Sequence, residues 1–263
     1  MRKGKKLSFL IFSRYIQTRI LTPAIAFIFF IFLWELTVQN FSISPLVLPA
    51  PSAVLKVLVE RFGYLAFHAG ITFLEAVLGF LLGSIAGFAL ATLFLFSRTA
   101  EQAIYPYAVA IKAIPLVALA PLVVAWFGSG LFSKVFLAAI ITFFPVLVNS
   151  LDGFKSVESD ALDLFHVWSA SQWQIFIKFR VFHALPSLFA GLKVSSSFAI
   201  VGAVVAEFIG SEQGIGFAIK SSSYFLSTDL TFAAILVSAL IGLAFFWLIS
   251  ALERKIVFWK NEL

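Results

Sequence analysis

The amino-acid sequence predicts an all-α polytopic membrane protein with six transmembrane helices. Of the 263 residues, 61% are hydrophobic and only 12% are charged, and the mean hydropathy is +1.03. A soluble domain carries about a quarter of charged residues, so the composition excludes an ordinary soluble fold. The apolar residues also cluster in runs of about 20 or more, which is the length that crosses a bilayer as a helix.

Six apolar runs give the predicted spans. They cover residues 21–38, 69–96, 103–127, 131–148, 187–209 and 230–252. The first run follows a basic N-terminus but has no small-residue cleavage site at its end, which favours a retained helix over a signal peptide. A short interfacial helix is predicted at 53–62, with Ser52 as its N-cap.

The spans divide the chain into four parts. We expect a basic tail at 1–20, a first span with an interfacial segment at 21–64, a transmembrane domain at 65–252 and a tail at 253–263. The polar loop at 155–186 belongs to the transmembrane domain and separates its fourth and fifth spans.

Glycine and proline mark two of the spans. Span two carries Gly70, Gly79, Gly83 and Gly87, and small residues at this spacing let another helix approach closely. This face is therefore a candidate sliding or dimer surface. Span three is interrupted by prolines, which free backbone carbonyls that a membrane tolerates only against protein or water. These prolines are Pro106, Pro115 and Pro121.

The basic residues predict the orientation in the membrane. Six spans place both termini on one side, together with most of the 19 Lys and Arg residues. That side carries Arg2, Lys3, Lys5, Lys6, Arg14, Arg19, Arg98, Lys155, Lys178, Arg180, Lys193, Arg254, Lys255 and Lys260. The other side carries Lys56, Arg61, Lys134 and Lys220, and Lys112 lies within a span. The excess predicts cytoplasmic termini and a membrane-lipid partner rather than a nucleic acid.

Several chemistries lack their motifs in this sequence. Without cysteine there is no disulfide or thiolate site, and the three histidines have no shared helical spacing that would favour a metal site. No phosphate-binding loop of the type Gly-x4-Gly-Lys-Ser/Thr occurs, so we expect the chain to bind no ATP itself. No Ser/His/Asp order suggests an intramembrane hydrolase, and we expect no catalytic residue.

The loop at 155–186 contains a second amphipathic helix. Charges such as Asp160 and Asp163 cost too much in hydrocarbon, so the loop should lie outside the bilayer. Apolar residues recur there at helical spacing, with Ser159 as a candidate N-cap. They are Ala161, Leu164, Phe165 and Trp168. A water-exposed helix with an apolar stripe needs a surface to dock against.

The same loop carries a family resemblance. Asp163, the Ser169-Ala170-Ser171 run and the Trp173-Gln174 pair, followed by a segment from Ala184 to Lys193, resemble the cytoplasmic EAA loop of ABC-importer permeases. The resemblance is greatest to the subgroup that handles nitrate, sulfonates, taurine and vitamin precursors. The chain departs from the family pattern where Asp163 replaces Glu and Ser169 replaces Gly, and the Leu-Pro of the pattern is missing at 179–182.

The resemblance implies a type I ABC-importer fold in which this loop is a coupling helix that contacts an ATPase subunit. The implied coupling residues are Asp160, Asp163, Leu164, Phe165, Trp168, Ser169, Ala170, Ser171, Trp173 and Gln174. It also implies two copies of an ATPase subunit that binds ATP and Mg, an extracytoplasmic binding protein and a permease homodimer. The implied cargo is a small organic anion such as a sulfonate or taurine, or nitrate, with a vitamin precursor (pyrimidine, riboflavin) as the alternative.

Charged residues within the spans are candidates for the translocation path. Glu207 could line the path, brace the span ends or reach the outer interface. Lys112 could contact substrate, but a structural bridge between Lys112 and Glu75 is favoured. Glu35 in span one could snorkel to the membrane interface or pair in a similar way.

Two other classes of protein remain open at this point. An ion-gradient-driven secondary transporter would show inverted repeats and paired broken helices, but only span three is broken by prolines. A membrane scaffold would use the amphipathic loop helix to bind some other protein. Co-purification of an ATPase separates the importer from both.

Overall fold

The structure, a computed structural model, describes residues 21–261. All regular secondary structure in this range is helical, without any β-strand, which confirms the predicted all-α class. The predicted tail at 1–20 lies outside the described residues, as do the last two residues of the predicted tail at 253–263.

Eleven α-helices follow one another through residues 21–261. They are α1 Thr22–Asn40, α2 Pro51–Glu60, α3 Phe62–Phe96, α4 Arg98–Ala113, α5 Leu116–Phe127, α6 Leu131–Lys155, α7 Ser159–Val167, α8 Gln172–Ile175, α9 Val181–Gly210, α10 Ile215–Tyr224 and α11 Thr228–Ile256. A π-helical turn, Phe176–Arg180, joins α8 to α9, and a 3-10 turn, Phe258–Asn261, follows α11.

Five helical stretches in this range are long and apolar enough to cross a membrane, and a bent pair brings the number to six. The five are α1, α3, α6, the run from α8 to α9, and α11, and the pair α4 and α5 is bent by 100°. The break falls at Ile114 and Pro115. A residue before proline is driven towards extended backbone, and Ile114 has φ −74° and ψ 126°. Pro106 and Pro121 lie inside α4 and α5 without ending them.

Several helix ends differ from the predicted boundaries. Helix α3 begins at Phe62 rather than at 69, and α6 continues to Lys155 rather than ending at 148. Polar residues at these ends are compatible with helix, so hydropathy marks the membrane-crossing part and not the helix itself. Ser52 is not an N-cap, because α2 begins at Pro51, a position that suits proline.

The chain forms two compact units, of which the first comprises residues 21–62 and 222–233 of the described range. Within it, the Ser52 hydroxyl donates to Glu35 Oε1 at 2.8 Å, and the Ser52 backbone N–H donates to Glu35 Oε2 at 3.0 Å. Thr228 Oγ1 donates to the carbonyl oxygen of Leu46 at 3.0 Å. The Glu35 carboxylate therefore connects α1 to the start of α2. Its partner, which the sequence did not determine, is Ser52.

The second unit comprises residues 63–221 and 234–261 of the described range, and its centre is the packing of α3 and α9 on α6. Gly79, Gly83 and Gly87 lie against the α6 backbone, and a Cβ atom on Gly87 would sit 2.6 Å from the Phe143 carbonyl oxygen. The prediction that these glycines let another helix approach closely is confirmed, but the helix is α6 of the same chain, so the alternative of a dimer contact is wrong for these three residues. Gly70 has no atom near its Cβ position.

Candidate functional site

Helix α7 opens the exposed segment that the sequence predicted as a coupling surface, and we call residues 159–175 the coupling segment. Ser159 is the first helical residue rather than the N-cap, and its hydroxyl lies 3.3 Å from Asp160 Oδ1. Asp160 stands in the first turn, where a carboxylate interacts favourably with the helix dipole. The predicted helix is therefore present, but the predicted cap is wrong.

The end of α7 is a Schellman-type turn centred on Ser169. The backbone N–H of Ala170 donates to the Phe165 carbonyl oxygen at 3.1 Å, and Ser169 has φ +55°. This left-handed conformation is the usual place of glycine after a helix, because a Cβ atom is strained there. The resembled family carries Gly at this position, so the turn is kept here with a residue that suits it less well.

Helix α8 begins with a reciprocal cap. The Ser171 hydroxyl accepts from the Gln174 backbone N–H at 3.2 Å, while Gln174 Oε1 accepts from the Ser171 backbone N–H at 2.8 Å. Ser-x-x-Gln is a capping-box pattern, so a helix start at Ser171 could have been predicted from the sequence and was missed. The two residues therefore have a structural role, whatever else they contact.

Most of the predicted coupling residues are exposed. Leu164 is 51% exposed, Trp168 69% and Trp173 58%, and the neighbouring Val167, which the sequence analysis did not single out, is 78% exposed. Asp160, Asp163, Ser169, Ser171 and Gln174 are also exposed, whereas Phe165 and Ala170 are half-buried. Large apolar side chains on a water-facing segment are typical of an interaction surface.

Aromatic contacts hold the coupling segment on the membrane domain. The ring centroid of Phe165 lies 4.9 Å from that of Phe179, and the ring centroid of Trp173 lies 5.3 Å from that of Phe176. Phe176 is buried, and its ring centroid lies 5.4 Å from that of Phe154 in α6. The Arg180 guanidinium also donates to the Phe154 carbonyl oxygen at 2.5 Å. These contacts connect the segment to the π-helical turn Phe176–Arg180 and, through that turn, to α6.

The second group of polar residues is buried and lies along one face of α3. His68, Thr72 and Glu75 recur at i, i+4 and i+7, and none is more than 5% exposed. The face then continues through Gly79 and Gly83, so α3 changes from a polar to a small-residue surface along a single stripe. The sequence singled out Glu75 and the glycines here but not Thr72.

Three side chains accept the first backbone N–H groups of α10, and we call this arrangement the clasp. Gly214 N donates to His68 Nδ1 at 2.9 Å, Ile215 N to Thr72 Oγ1 at 2.8 Å, and Gly216 N to Glu207 Oε2 at 2.6 Å. The Thr72 hydroxyl in turn donates to Glu207 Oε1 at 2.7 Å. The unpaired N–H groups of a helix start are thus satisfied from α3 and α9.

Glu207 is fully buried, and its carboxylate is used by the clasp. A Cβ atom on Gly214 would overlap this carboxylate, and Gly214 also has φ +94°. Glycine is therefore required there by both space and backbone conformation. Of the roles considered for Glu207, these contacts favour bracing the ends of the helices over contact with substrate.

Glu75 is paired with a lysine other than the predicted one. Its Oε1 lies 3.1 Å from Lys134 Nζ, and both side chains are buried. The predicted Lys112–Glu75 bridge is wrong. Lys134, which the charge count placed outside the membrane, lies in the first turn of α6 and turns inward. The pairing depends on which face of α6 packs on α3, and local sequence does not determine that.

Lys112 lies in a separate pocket near the end of α4. Its Nζ atom lies 4.7 Å from the centroid of the Phe144 ring. The structure therefore brings two of the three candidate path residues, Glu75 and Glu207, to one face of α3 and leaves the third elsewhere. Within residues 21–261, no group of three His, Asp or Glu side chains is placed to hold a metal ion.

Comparison with known proteins shows the family. Residues 79–258 match the family of binding-protein-dependent transport system inner membrane components. A formylaminopyrimidine transport permease protein of Halalkalibacterium halodurans is 31% identical over 92% of this chain and 97% of its own length. A Bacillus subtilis protein named for aliphatic sulfonate transport is 32% identical over 92% and 87%. The taurine transport system permease protein of Escherichia coli is 30% identical over 84% and 82%.

The helical spans and this match define a polytopic transport protein of the membrane. The chain belongs to the family of binding-protein-dependent inner membrane components. It is the permease subunit of an ABC importer for a small solute, a role that implies an ATPase subunit and a substrate-binding protein as partners.

Proposed function

We propose that the coupling segment docks on the ATPase subunit and transmits its motion to the spans. The observation that carries the proposal is the exposed cluster of Leu164, Val167, Trp168 and Trp173 on a base whose aromatic rings pack into the membrane domain. Exposed aromatic residues backed by a fixed scaffold are suited to be interface anchors. The acidic residues Asp160 and Asp163 would lie at the rim of the same contact.

The mechanism follows from how the segment is attached. A push on α7 and α8 passes through Phe176 and Arg180 to α6 and to the start of α9. The π-helical turn between α8 and α9 is the element that would bend, since such turns recur at functional sites. ATP can drive the change only if it binds the two conformations with different affinities. ATP and Mg would be bound by the partner subunit, and this chain would bind no cofactor and catalyse no reaction.

The orientation is proposed from charge. The excess of Lys and Arg on the side of the termini favours cytoplasmic termini and a cytoplasmic coupling segment. The ATPase would then meet the segment in the cytoplasm, and the binding protein would dock on the opposite face. We propose a permease homodimer with two ATPase copies, so that each coupling segment has one partner.

The proposed substrate is a small organic anion such as a sulfonate. Relatives named for aliphatic sulfonate and taurine transport support it, and nitrate belongs to the same range of small anions. A vitamin precursor is the second candidate. The relative named for formylaminopyrimidine transport is about as similar to this chain as the relative named for aliphatic sulfonates, and the match covers more of its own length.

The test is the association of tagged chain with an ATP-binding subunit, purified in detergent from the native host and quantified by mass spectrometry. We expect Trp168→Ala to reduce co-purification about tenfold, which is the scale of losing one interface anchor. Trp247→Ala is the matched control, because Trp247 is 63% exposed on α11, outside the segment. Equal loss in both variants, or no loss in either, would contradict the coupling role.

A further inference from the structure

The break between α4 and α5 encloses a pocket of about 330 Å³, whose walls come from both helices and from α6 and α9. Ile111, Leu116, Phe143, Phe144 and Phe198 are among its lining residues. Of all the side chains that line it, only that of Lys112 is polar or charged. The pocket is therefore an apolar cavity with one cation in its wall.

Lys112 differs from three other lysines of the membrane-crossing helices, each of which is paired with a carboxylate. Lys134, Lys155 and Lys193 each lie within 3.1 Å of a carboxylate oxygen. Within residues 21–261, no acidic side chain lies within salt-bridge distance of Lys112, whose ammonium instead faces the Phe144 ring. Because an unpaired ammonium is costly in a membrane, Lys112 requires water or an anion from outside the chain.

The position of Lys112 makes this requirement stronger. Lys112 follows Arg98, the first residue of α4, by four helical turns, which corresponds to about 21 Å along the helix. It also lies in the last turn of α4, where the helix dipole favours a cation. Lys112 is exposed in the single chain, so its ammonium is accessible to a solute, and the small effect of the dipole does not replace a counter-ion within a membrane.

We propose that this pocket binds the transported solute, and that the solute is a monoanion with an apolar body, such as a short alkanesulfonate. This inference rests on the proposed import function and narrows its substrate class. The Lys112 ammonium would donate to the anionic group, since hydrogen bonds between charged groups are the strongest available. The aliphatic and aromatic walls would then cover the apolar body.

The lining also argues against the other candidate solutes. Taurine carries an ammonium group for which the lining offers no side-chain acceptor. A pyrimidine or a flavin carries several polar groups that would be buried without side-chain partners, and each such burial is unfavourable. Nitrate can pair with Lys112 but has no apolar body to fill the cavity. The order of binding is therefore alkanesulfonate first, with nitrate and taurine weaker.

The experiment measures direct binding to the full chain in nanodiscs of phosphatidylcholine, which carries no net charge to compete for the site. The probes are butanesulfonate, taurine, nitrate and the uncharged 1-butanol, titrated by calorimetry. We expect saturable binding of butanesulfonate at least about tenfold tighter than of taurine or 1-butanol. Lys112→Gln should weaken it about tenfold, and Lys112→Arg, which keeps the charge, should stay within about threefold.

Lys56→Gln is the control for a change of charge elsewhere, because the Lys56 side chain is 74% exposed on α2. The proposal is overturned if Lys112→Gln binds butanesulfonate as tightly as the unchanged chain, or if taurine and butanesulfonate bind equally. ATPase co-purification with Lys112→Gln separates the two hypotheses. Retained association with lost anion binding supports the pocket, whereas retained anion binding with no associated ATPase would contradict the importer mechanism alone.

Discussion

The clasp and the coupling segment are both polar interruptions of an apolar chain, yet they satisfy opposite physical demands. In the clasp, three backbone N–H groups are buried, and each donates to a buried side chain of α3 or α9. In the coupling segment, polar groups face outward and large apolar side chains such as Trp168 are exposed with them. A buried polar group needs an internal partner, whereas an exposed apolar group gains from an external one.

The comparison shows that a charge within a predicted span does not identify a substrate site by itself. Glu207 and Glu75 meet the sequence criterion as well as Lys112 does. The structure gives both carboxylates protein partners, while Lys112 keeps an open pocket. A substrate site is therefore expected where a polar group in a span lacks a partner within the chain.

The largest effect is expected at the buried ion pair beside the clasp. Glu75→Ala leaves the Lys134 ammonium buried without its carboxylate, which should cost about 4 kcal/mol of unfolding free energy. Thermal unfolding in detergent should show a clear fall in Tm. The double variant Glu75→Leu with Lys134→Met removes both charges and should recover much of the loss. A single variant as stable as the unchanged protein would show that the pair is not buried.

The next effect is expected in the clasp itself. Glu207→Ala removes the acceptor for Gly216 N–H and for the Thr72 hydroxyl, and should cost about 2 kcal/mol of unfolding free energy. Glu207→Gln keeps one acceptor oxygen and should lose less. Thermal unfolding in detergent should show a smaller fall in Tm for Glu207→Gln than for Glu207→Ala. If Gln and Ala are equally destabilising, hydrogen bonding to α10 is not what Glu207 contributes.

The coupling segment should behave in the opposite way. Asp163→Lys reverses a charge on an exposed side chain, so its unfolding free energy should change by no more than about 1 kcal/mol, the scale of a contact between exposed groups. Its association with the ATPase subunit should nevertheless weaken several-fold, because a carboxylate at the rim of the proposed contact is replaced by a charge of opposite sign. Thermal unfolding and co-purification measured on one preparation would show both. A large fall in Tm without loss of association would show that Asp163 stabilises the fold, as the clasp does, and does not contribute to the contact with the ATPase subunit.

The most local effect is expected at the turn between α7 and α8. Ser169→Gly should relieve the strain of a left-handed backbone and stabilise this turn by about 1 kcal/mol. Ser169→Ala keeps the Cβ atom and should give no gain. Amide hydrogen exchange at Ala170, whose N–H closes the turn, reports the local change. Faster exchange in the glycine variant than in the alanine variant would contradict the strain argument.

Predictions from local sequence were confirmed where composition and periodicity are sufficient. The all-α class, the membrane spans, the break in span three and the α7 helix follow from hydropathy, proline chemistry and helical spacing. Caps were less predictable: Ser52 and Ser159 have the right residue type but stand inside their helices, while the Ser171–Gln174 pair was missed. The coupling role of the segment and the path role of Lys112 remain predictions.

The sequence alone determined that this chain crosses a membrane repeatedly and carries an amphipathic helix outside it, because water and hydrocarbon sort residues by polarity wherever they stand. Only the tertiary structure decided which polar groups form hydrogen bonds or ion pairs inside the protein. Glu75 meets Lys134 and Glu207 meets Gly216 because particular faces of α3, α6 and α9 pack together. Such pairings depend on how each helix is rotated about its axis and on contacts between residues far apart in the chain. Local sequence patterns determine neither.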